Sequence, residues 1–166
     1  MQPADIFRDA RTVFEQQRKL AERAAEQVDD ERFFYAPAPE SNSIAVIMKH
    51  VGGNLRSRWT DFLTTDGEKP DRDRESEFDA ADMSRAEVLA TWNTGWTHLF
   101  ETLDQLRPED ATRTVTIRGE PNTVLHALLR SLAHTSHHCG QIVYRAKQLN
   151  GADWRTLSIP RQPRSR

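Results

Sequence analysis

Four stretches of the chain repeat apolar residues at the three-and-four spacing of an amphipathic helix. They cover about 4–28, 43–64, 84–106 and 121–149. Polar residues fill the opposite face of each stretch, so each predicted helix has one apolar stripe to bury. Four helices of this length predict an all-α fold, in the form of an antiparallel four-helix bundle.

Residues that favour helix ends support these boundaries. Ser84 and Glu87 have the spacing of a capping box at the start of the third helix. Pro121 suits the first position of the fourth helix, because its missing N–H would have no partner there. Gly151 follows Asn150 and provides a stop.

Two connections are longer than the loops of most bundles. The first, around 66–82, holds eight acids against three bases, and we interpret it as a solvated loop. The second, around 107–120, contains the alternating β-branched run TRTVTIR, which predicts a short strand or extended arm before the last helix. Long loops are often functional, although they can also be variable surface.

Composition narrows the function classes. The 166 residues fit a single domain, 1–166, and the formal net charge of −2 gives no global sign of nucleic-acid binding. No stretch approaches a membrane span, and the start of the chain lacks the apolar run of a signal peptide. The lone cysteine, Cys139, excludes an internal disulfide and is predicted to be a small core residue. We therefore expect a cytoplasmic protein without membrane partners.

Histidines provide the densest chemical signal. His134 and His138 are four residues apart, which places both imidazoles on one face of a helix. Such a pair can hold a divalent metal ion, and His50 in the second helix is the natural third ligand. The alternative is that these histidines cap carbonyls or face water. His137 also offers a competing pair with His134.

The last predicted helix resembles a known family. Its sequence LAHTSHHCGQIVYRAKQL is similar to the last helix of the DinB/YfiT-like metalloenzyme superfamily, which carries a His-x-x-x-His-x-x-Gln pattern. That pattern falls on His134, His138 and Gln141. The stretch SIAVIMKHVGGNLRSRWTDFLTTDGE resembles the second helix of the superfamily, whose single histidine becomes His50.

Three further segments resemble one branch of bacterial DinB-like proteins. They lie at 49–59, 114–121 and 154–161, so the resemblance covers nearly the whole chain. It implies an up-down-down-up bundle, a histidine triad that holds a divalent ion, and frequent homodimers. It also implies a thiol-dependent reaction, because some relatives transfer or open groups with a low-molecular-weight thiol. His137 stands where relatives often carry an aromatic residue, and it could shuttle protons or simply pack.

Neighbours of the triad complete the predicted site. Asn54 and Gln141 lie one turn beyond a ligand and could orient the imidazoles. Arg56 and Arg58 could neutralise an anionic small-molecule substrate, or could belong to a solvated helix face. The glycine pair 52–53 suggests a close helix approach, a local kink or a neutral accident.

Three histidines with an open position are typical of a catalytic rather than a structural metal. Imidazole ligands suit zinc or nickel. Together with the resemblance, these features imply a metal-dependent thiol S-transferase, with His137 and Arg58 as candidate catalytic residues. The alternatives are a metal-dependent hydrolase or isomerase, and a non-enzymatic bundle that binds a metal ion or a small molecule.

Overall fold

A computed structural model describes residues 3–160, with side chains from residue 6 onwards. Across these residues the chain forms five α-helices and one two-stranded sheet. The elements are α1 (Pro3–Ala25), α2 (Asp30–Phe34), α3 (Ile44–Trp59), α4 (Arg85–Gln105), β1 (Thr114–Ile117), β2 (Glu120–Thr123) and α5 (Val124–Asn150). The fold is mainly helical, which confirms the all-α prediction at that level. None of the described helices is long and apolar enough to span a bilayer.

The four long helices share one core. Helix α3 packs against α4 and α5, and α1 packs mainly against α5 and more lightly against α4. Large aromatic residues fill the space between them, and Trp59, Trp92 and Trp96 are almost wholly buried. Burial of such side chains dominates the packing energy of a domain of this size.

Helix α3 ends earlier than its apolar pattern predicts. Thr60 adopts an extended conformation at the C-terminus of the helix, and Asp61 has a positive φ of 45°. Phe62 is nevertheless 3% exposed, because its ring packs 4.5 Å from the ring of Trp59. The apolar stripe therefore continues into a turn, and the predicted extension to residue 64 is wrong.

The segment before α5 is a β-hairpin. Strands β1 and β2 pair antiparallel, and Pro121 lies in β2 opposite Thr116. Arg118 and Gly119, with φ of 56° and 78°, form the two-residue turn with both central residues at positive φ. The prediction that Pro121 begins the last helix is thus wrong. Instead, the side chain of Thr123 caps α5.

Two glycines allow α3 and α4 to approach closely. A Cβ atom at Gly52 would overlap the backbone of Thr91, and one at Gly95 would overlap the backbone of Gly52. Backbone atoms cannot move aside as a flexible side chain can. This contact between the helices therefore requires glycine at both positions. The close helix approach that the 52–53 glycine pair suggested is thus present at Gly52.

We expect Gly95→Ala to lower the free energy of unfolding by about 1–3 kcal/mol, because the added methyl group overpacks this contact. Gly140→Ala on α5 is the matched control, since a Cβ there meets no atom within 4 Å. Its improved helix propensity should raise stability by up to about 1 kcal/mol. Urea unfolding followed by circular dichroism measures both, and equal effects would contradict the close approach.

Candidate metal centre

Three histidines from two helices meet at one point. His50 comes from α3, and His134 and His138 come from α5. Their ligand nitrogens all lie within 4.8 Å of one another, so the cluster could hold a metal ion. The Nε2 atom of His134 is 3.3 Å from that of His50 and 3.2 Å from that of His138. A tetrahedral zinc ion with Zn–N bonds of about 2.0–2.1 Å requires nitrogens roughly 3.3 Å apart, and these two distances fit that requirement.

Hydrogen bonds on the far side of two rings fix where their protons lie. Nδ1 of His50 is 2.8 Å from a carboxylate oxygen of Glu77, and Nδ1 of His138 is 2.8 Å from Oε1 of Gln141. Carboxylate and amide oxygens accept hydrogen bonds, so both Nδ1 atoms carry the proton. The Nε2 lone pairs of His50 and His138 therefore point towards His134 in the centre of the cluster. His134 could donate one proton to only one of them, whereas a cation would satisfy all three.

His134 is held in the form that a metal requires. Burial, followed by the neighbouring His138 and His50, lowers its pKa to about 3. Burial also lowers the pKa of His138. Both rings are therefore neutral at pH 7, as metal ligands must be. Nδ1 of His134 is buried without a hydrogen-bond partner among the described residues.

Glu77 is the main site residue that sequence reasoning missed. Its side chain is 7% exposed, and Arg72 donates two hydrogen bonds of 2.7 Å to its carboxylate. Burial raises the pKa of Glu77, but the hydrogen bonds from His50 and Arg72 more than offset this and hold it below its ordinary value. A carboxylate that orients a histidine from its Nδ1 side is the usual partner of a metal-ligating imidazole.

The loop that carries Glu77 is not merely solvated. A 3₁₀ turn, Glu75–Phe78, packs on α3, and the ring of Phe78 stacks 5.0 Å from that of His50. Gly53 makes this possible, because a Cβ there would overlap the Glu77 carboxylate. The interpretation of 66–82 as solvated is therefore wrong at Glu77. Gly53 inside a helix was the one sequence signal that could have indicated it.

The other residues predicted for the site lie at different distances from the histidine cluster. Gln141 contacts His138, and its amide nitrogen lies 3.1 Å from Nε2 of His137. His137 is exposed and faces Gln141 from outside the cluster. Asn54 lines the same cavity as His50 and His134, and the side chain against Nδ1 of His50 is that of Glu77.

Cys139 follows His138 but is fully buried in the core. Burial, with a smaller effect from Glu22, raises its pKa to about 12. A thiol in that environment stays protonated and is a poor nucleophile.

The two predicted arginines point to different places. His50 and His134 open on a cavity of about 390 Å³ that Arg58 also lines. Arg56 lines a separate cavity, its side chain is 61% exposed, and it pairs with Asp71 at 3.1 Å. Residues two apart on a helix do not share a face, so the structure places only Arg58 beside the histidines.

Comparison with known proteins assigns the chain to a family. No curated protein matches the chain. A model of a DinB-like family matches residues 3–163, which is nearly the whole sequence. Since the match extends over both helices that supply the histidines and over the loop between them, the chain belongs to the family described as "Protein of unknown function (DUF1572)".

Proposed function

We propose that this protein binds one divalent metal ion through His50, His134 and His138 and uses it as an enzyme, in a thiol S-transfer reaction. One observation carries the proposal. Three imidazole nitrogens converge beside a cavity, and no fourth histidine, cysteine or acid joins them among residues 6–160. Three protein ligands with an open position are typical of catalytic zinc sites.

The chain's own residues supply the support for such a site. Glu77 and Gln141 orient His50 and His138, and Arg58 presents a positive charge to the cavity. When bound, a divalent ion lowers the pKa of a coordinated water or thiol. Zinc and nickel suit three neutral imidazoles. Arg58 is a better candidate than His137 for contact with a substrate, because His137 lies outside the cavity.

The choice of a thiol reaction derives from the resemblance to DinB-like proteins that use low-molecular-weight thiols. A hydrolase, an isomerase or a non-enzymatic metal-binding bundle would use the same three histidines. Assays of the zinc- and nickel-loaded protein with a thiol and an electrophile separate these cases. Turnover of the electrophile only in the presence of both thiol and metal supports the transferase. Metal binding without any such turnover contradicts the transferase and favours the hydrolase, the isomerase or the non-enzymatic bundle.

Elemental analysis tests the metal centre itself. We expect about one zinc or nickel ion per chain in the purified protein, and less than a tenth of that in a His50→Ala/His138→Ala double mutant. Two of the three ligands are then missing, and one imidazole alone binds weakly. His126→Ala on α5 is the control, because His126 is exposed and lies outside the cluster. Absence of metal in the wild-type protein after incubation with both ions would contradict the proposal.

We also infer that residues 1–166 form one domain and that α1, α3, α4 and α5 form the up-down-down-up four-helix bundle of DinB-like proteins. The way each long helix packs against two others supports this inference. The homodimer that the resemblance implies stays a prediction, and light scattering of the purified protein tests it.

A further inference from the structure

Arginines are concentrated on one side of the histidine cluster. Five line the cavity on which His50 and His134 open, namely Arg58, Arg72, Arg74, Arg118 and Arg130. The formal net charge of the whole chain is −2, so this excess of positive charge is local. The five residues come from α3, the 66–82 loop, the hairpin turn and α5. The fold therefore brings cations together that are distant in the sequence.

Three of the five already have carboxylate partners. Arg72 pairs with Glu68 and Glu77, Arg118 with Glu68, and Arg74 with Glu75. Arg58 and Arg130 have no carboxylate partner among the described residues. Arg130 contacts a neutral group, because it donates a 3.3 Å hydrogen bond to Oδ1 of Asn122. Two positive charges of the cavity thus have no carboxylate in direct contact, although Glu68 is near enough to attract Arg58.

Arg58 is the more unusual of the two. Arg58 is 9% exposed, and its buried Nε atom has no hydrogen-bond partner among the described residues. Burial, followed by repulsion from Arg130, lowers its pKa to about 10, so it is still charged at pH 7. A buried charge without a partner is costly, and proteins normally pair it. Gly67 leaves room for its side chain, because a Cβ at that position would overlap Cδ of Arg58.

We propose that Arg58 and Arg130 bind an oxyanion group, a carboxylate or a phosphate, of a small-molecule substrate or co-substrate. The planar guanidinium fork matches both groups through paired hydrogen bonds. The cavity is shared with His50 and His134, so an anion held here would place the rest of the molecule beside the histidine cluster. That last step rests on the proposed metal-dependent function, but the anion site itself does not require a metal.

The hairpin and the loop keep the anion site in shape. Asp66 accepts hydrogen bonds of 2.8 Å from the backbone N–H groups of Arg118 and Gly119, which ties the hairpin turn to the loop. The N–H of Gly67 donates to the carbonyl of Thr116 at 2.8 Å. The wall over Arg58 is therefore fixed by backbone contacts, and an incoming anion meets an arrangement that is already formed.

Binding of inorganic phosphate to metal-free protein tests the proposal. We expect saturable binding by ³¹P NMR titration at constant ionic strength, with affinity at least tenfold weaker in Arg58→Gln and in Arg130→Gln, because each substitution removes a charged donor. Arg130 is exposed, so its variant should fold even if the Arg58 variant does not. Arg56→Gln is the matched control, since Arg56 lies on the same helix but lines another cavity.

Acetate as a competitor identifies the group. Displacement of phosphate by a lower concentration of acetate indicates a carboxylate site, and weak displacement indicates a phosphate site. No saturable binding of either ion to the wild-type protein would overturn the proposal, as would equal affinities for Arg130→Gln and Arg56→Gln. Because the protein is free of metal, this result does not depend on the histidine cluster. Failure of the metal centre would appear in the elemental analysis and not in this titration.

Discussion

Glu77→Ala should weaken metal binding about 10- to 100-fold, the usual cost of removing the carboxylate behind a metal-ligating histidine. Without Glu77, no other described residue accepts a hydrogen bond from Nδ1 of His50. The ring can then carry its proton on Nε2 and present it to the cluster. Titration of the metal-free protein with zinc against a competing chelator measures the affinity. An affinity within twofold of wild type would contradict the assigned role.

The same substitution should also lower the free energy of unfolding by about 1–3 kcal/mol. It removes the two hydrogen bonds that the 5%-exposed Arg72 side chain donates to Glu77, while Arg72 keeps its ion pair with Glu68. Glu75→Ala is the matched control on the same turn, because the Glu75 side chain is 85% exposed. That variant should change neither quantity appreciably.

Gly53→Ala offers an independent way to move the same carboxylate. Its new Cβ would overlap Glu77, which cannot yield easily because Arg72 holds both of its oxygens. We therefore expect weaker zinc binding in this variant although all three histidines are intact. Agreement between Gly53→Ala and Glu77→Ala would show that the position of the carboxylate, and not only its charge, matters for the site.

The helices were predictable because burial imposes a period on the sequence. Each long helix presents one stripe to a shared core, so its apolar residues repeat every three or four positions. The ends were less predictable, since Phe62 is buried from a turn and Pro121 lies in a strand. A period shows that residues face the core, but it does not show whether the backbone between them is still helical.

The histidine cluster was predictable for a related reason. The spacing of His134 and His138 alone places both rings on one side of α5. His50 could be selected only by its position in another helix and by the resemblance to DinB-like proteins. The structure brings the three together, and whether they hold a metal ion is what the elemental analysis tests.

The surrounding groups could not be found in the same way. Glu77 is one of eight acids in a loop whose apolar residues do not repeat at a regular spacing. Its burial depends on how the whole loop folds back onto α3. Arg130 joins Arg58 only because α3 and α5 pack together. Residues that act across tertiary contacts leave little trace in the local sequence. Gly53 could have indicated the contact with Glu77, but the sequence alone suggested only a helix approach, a kink or a neutral accident there.

Zinc should stabilise the wild-type protein and leave His134→Ala unaffected. At a free zinc concentration 100 times the dissociation constant, the free energy of unfolding should rise by about 2.7 kcal/mol. For a chain of this length that corresponds to roughly 5–10 °C in Tm. Differential scanning fluorimetry with and without zinc measures the shift. His126→Ala should keep it, because His126 lies on α5 outside the cluster.

The stability of the metal-free wild type and of metal-free His134→Ala provides a second test of the same prediction. His134 has a buried Nδ1 without a partner and an Nε2 within 3.3 Å of two other imidazole nitrogens. Only one of the two contacts can be a hydrogen bond. Removing the ring therefore also removes an unfavourable contact and a buried nitrogen without a partner, which offsets part of the packing and the hydrogen bond that are lost. Metal-free His134→Ala should thus unfold within about 1 kcal/mol of the metal-free wild type. A loss of 3 kcal/mol or more without metal would instead identify His134 as a core residue. A small loss without metal, together with loss of the zinc effect, is the pattern expected when three histidines are placed for a cation and not for one another.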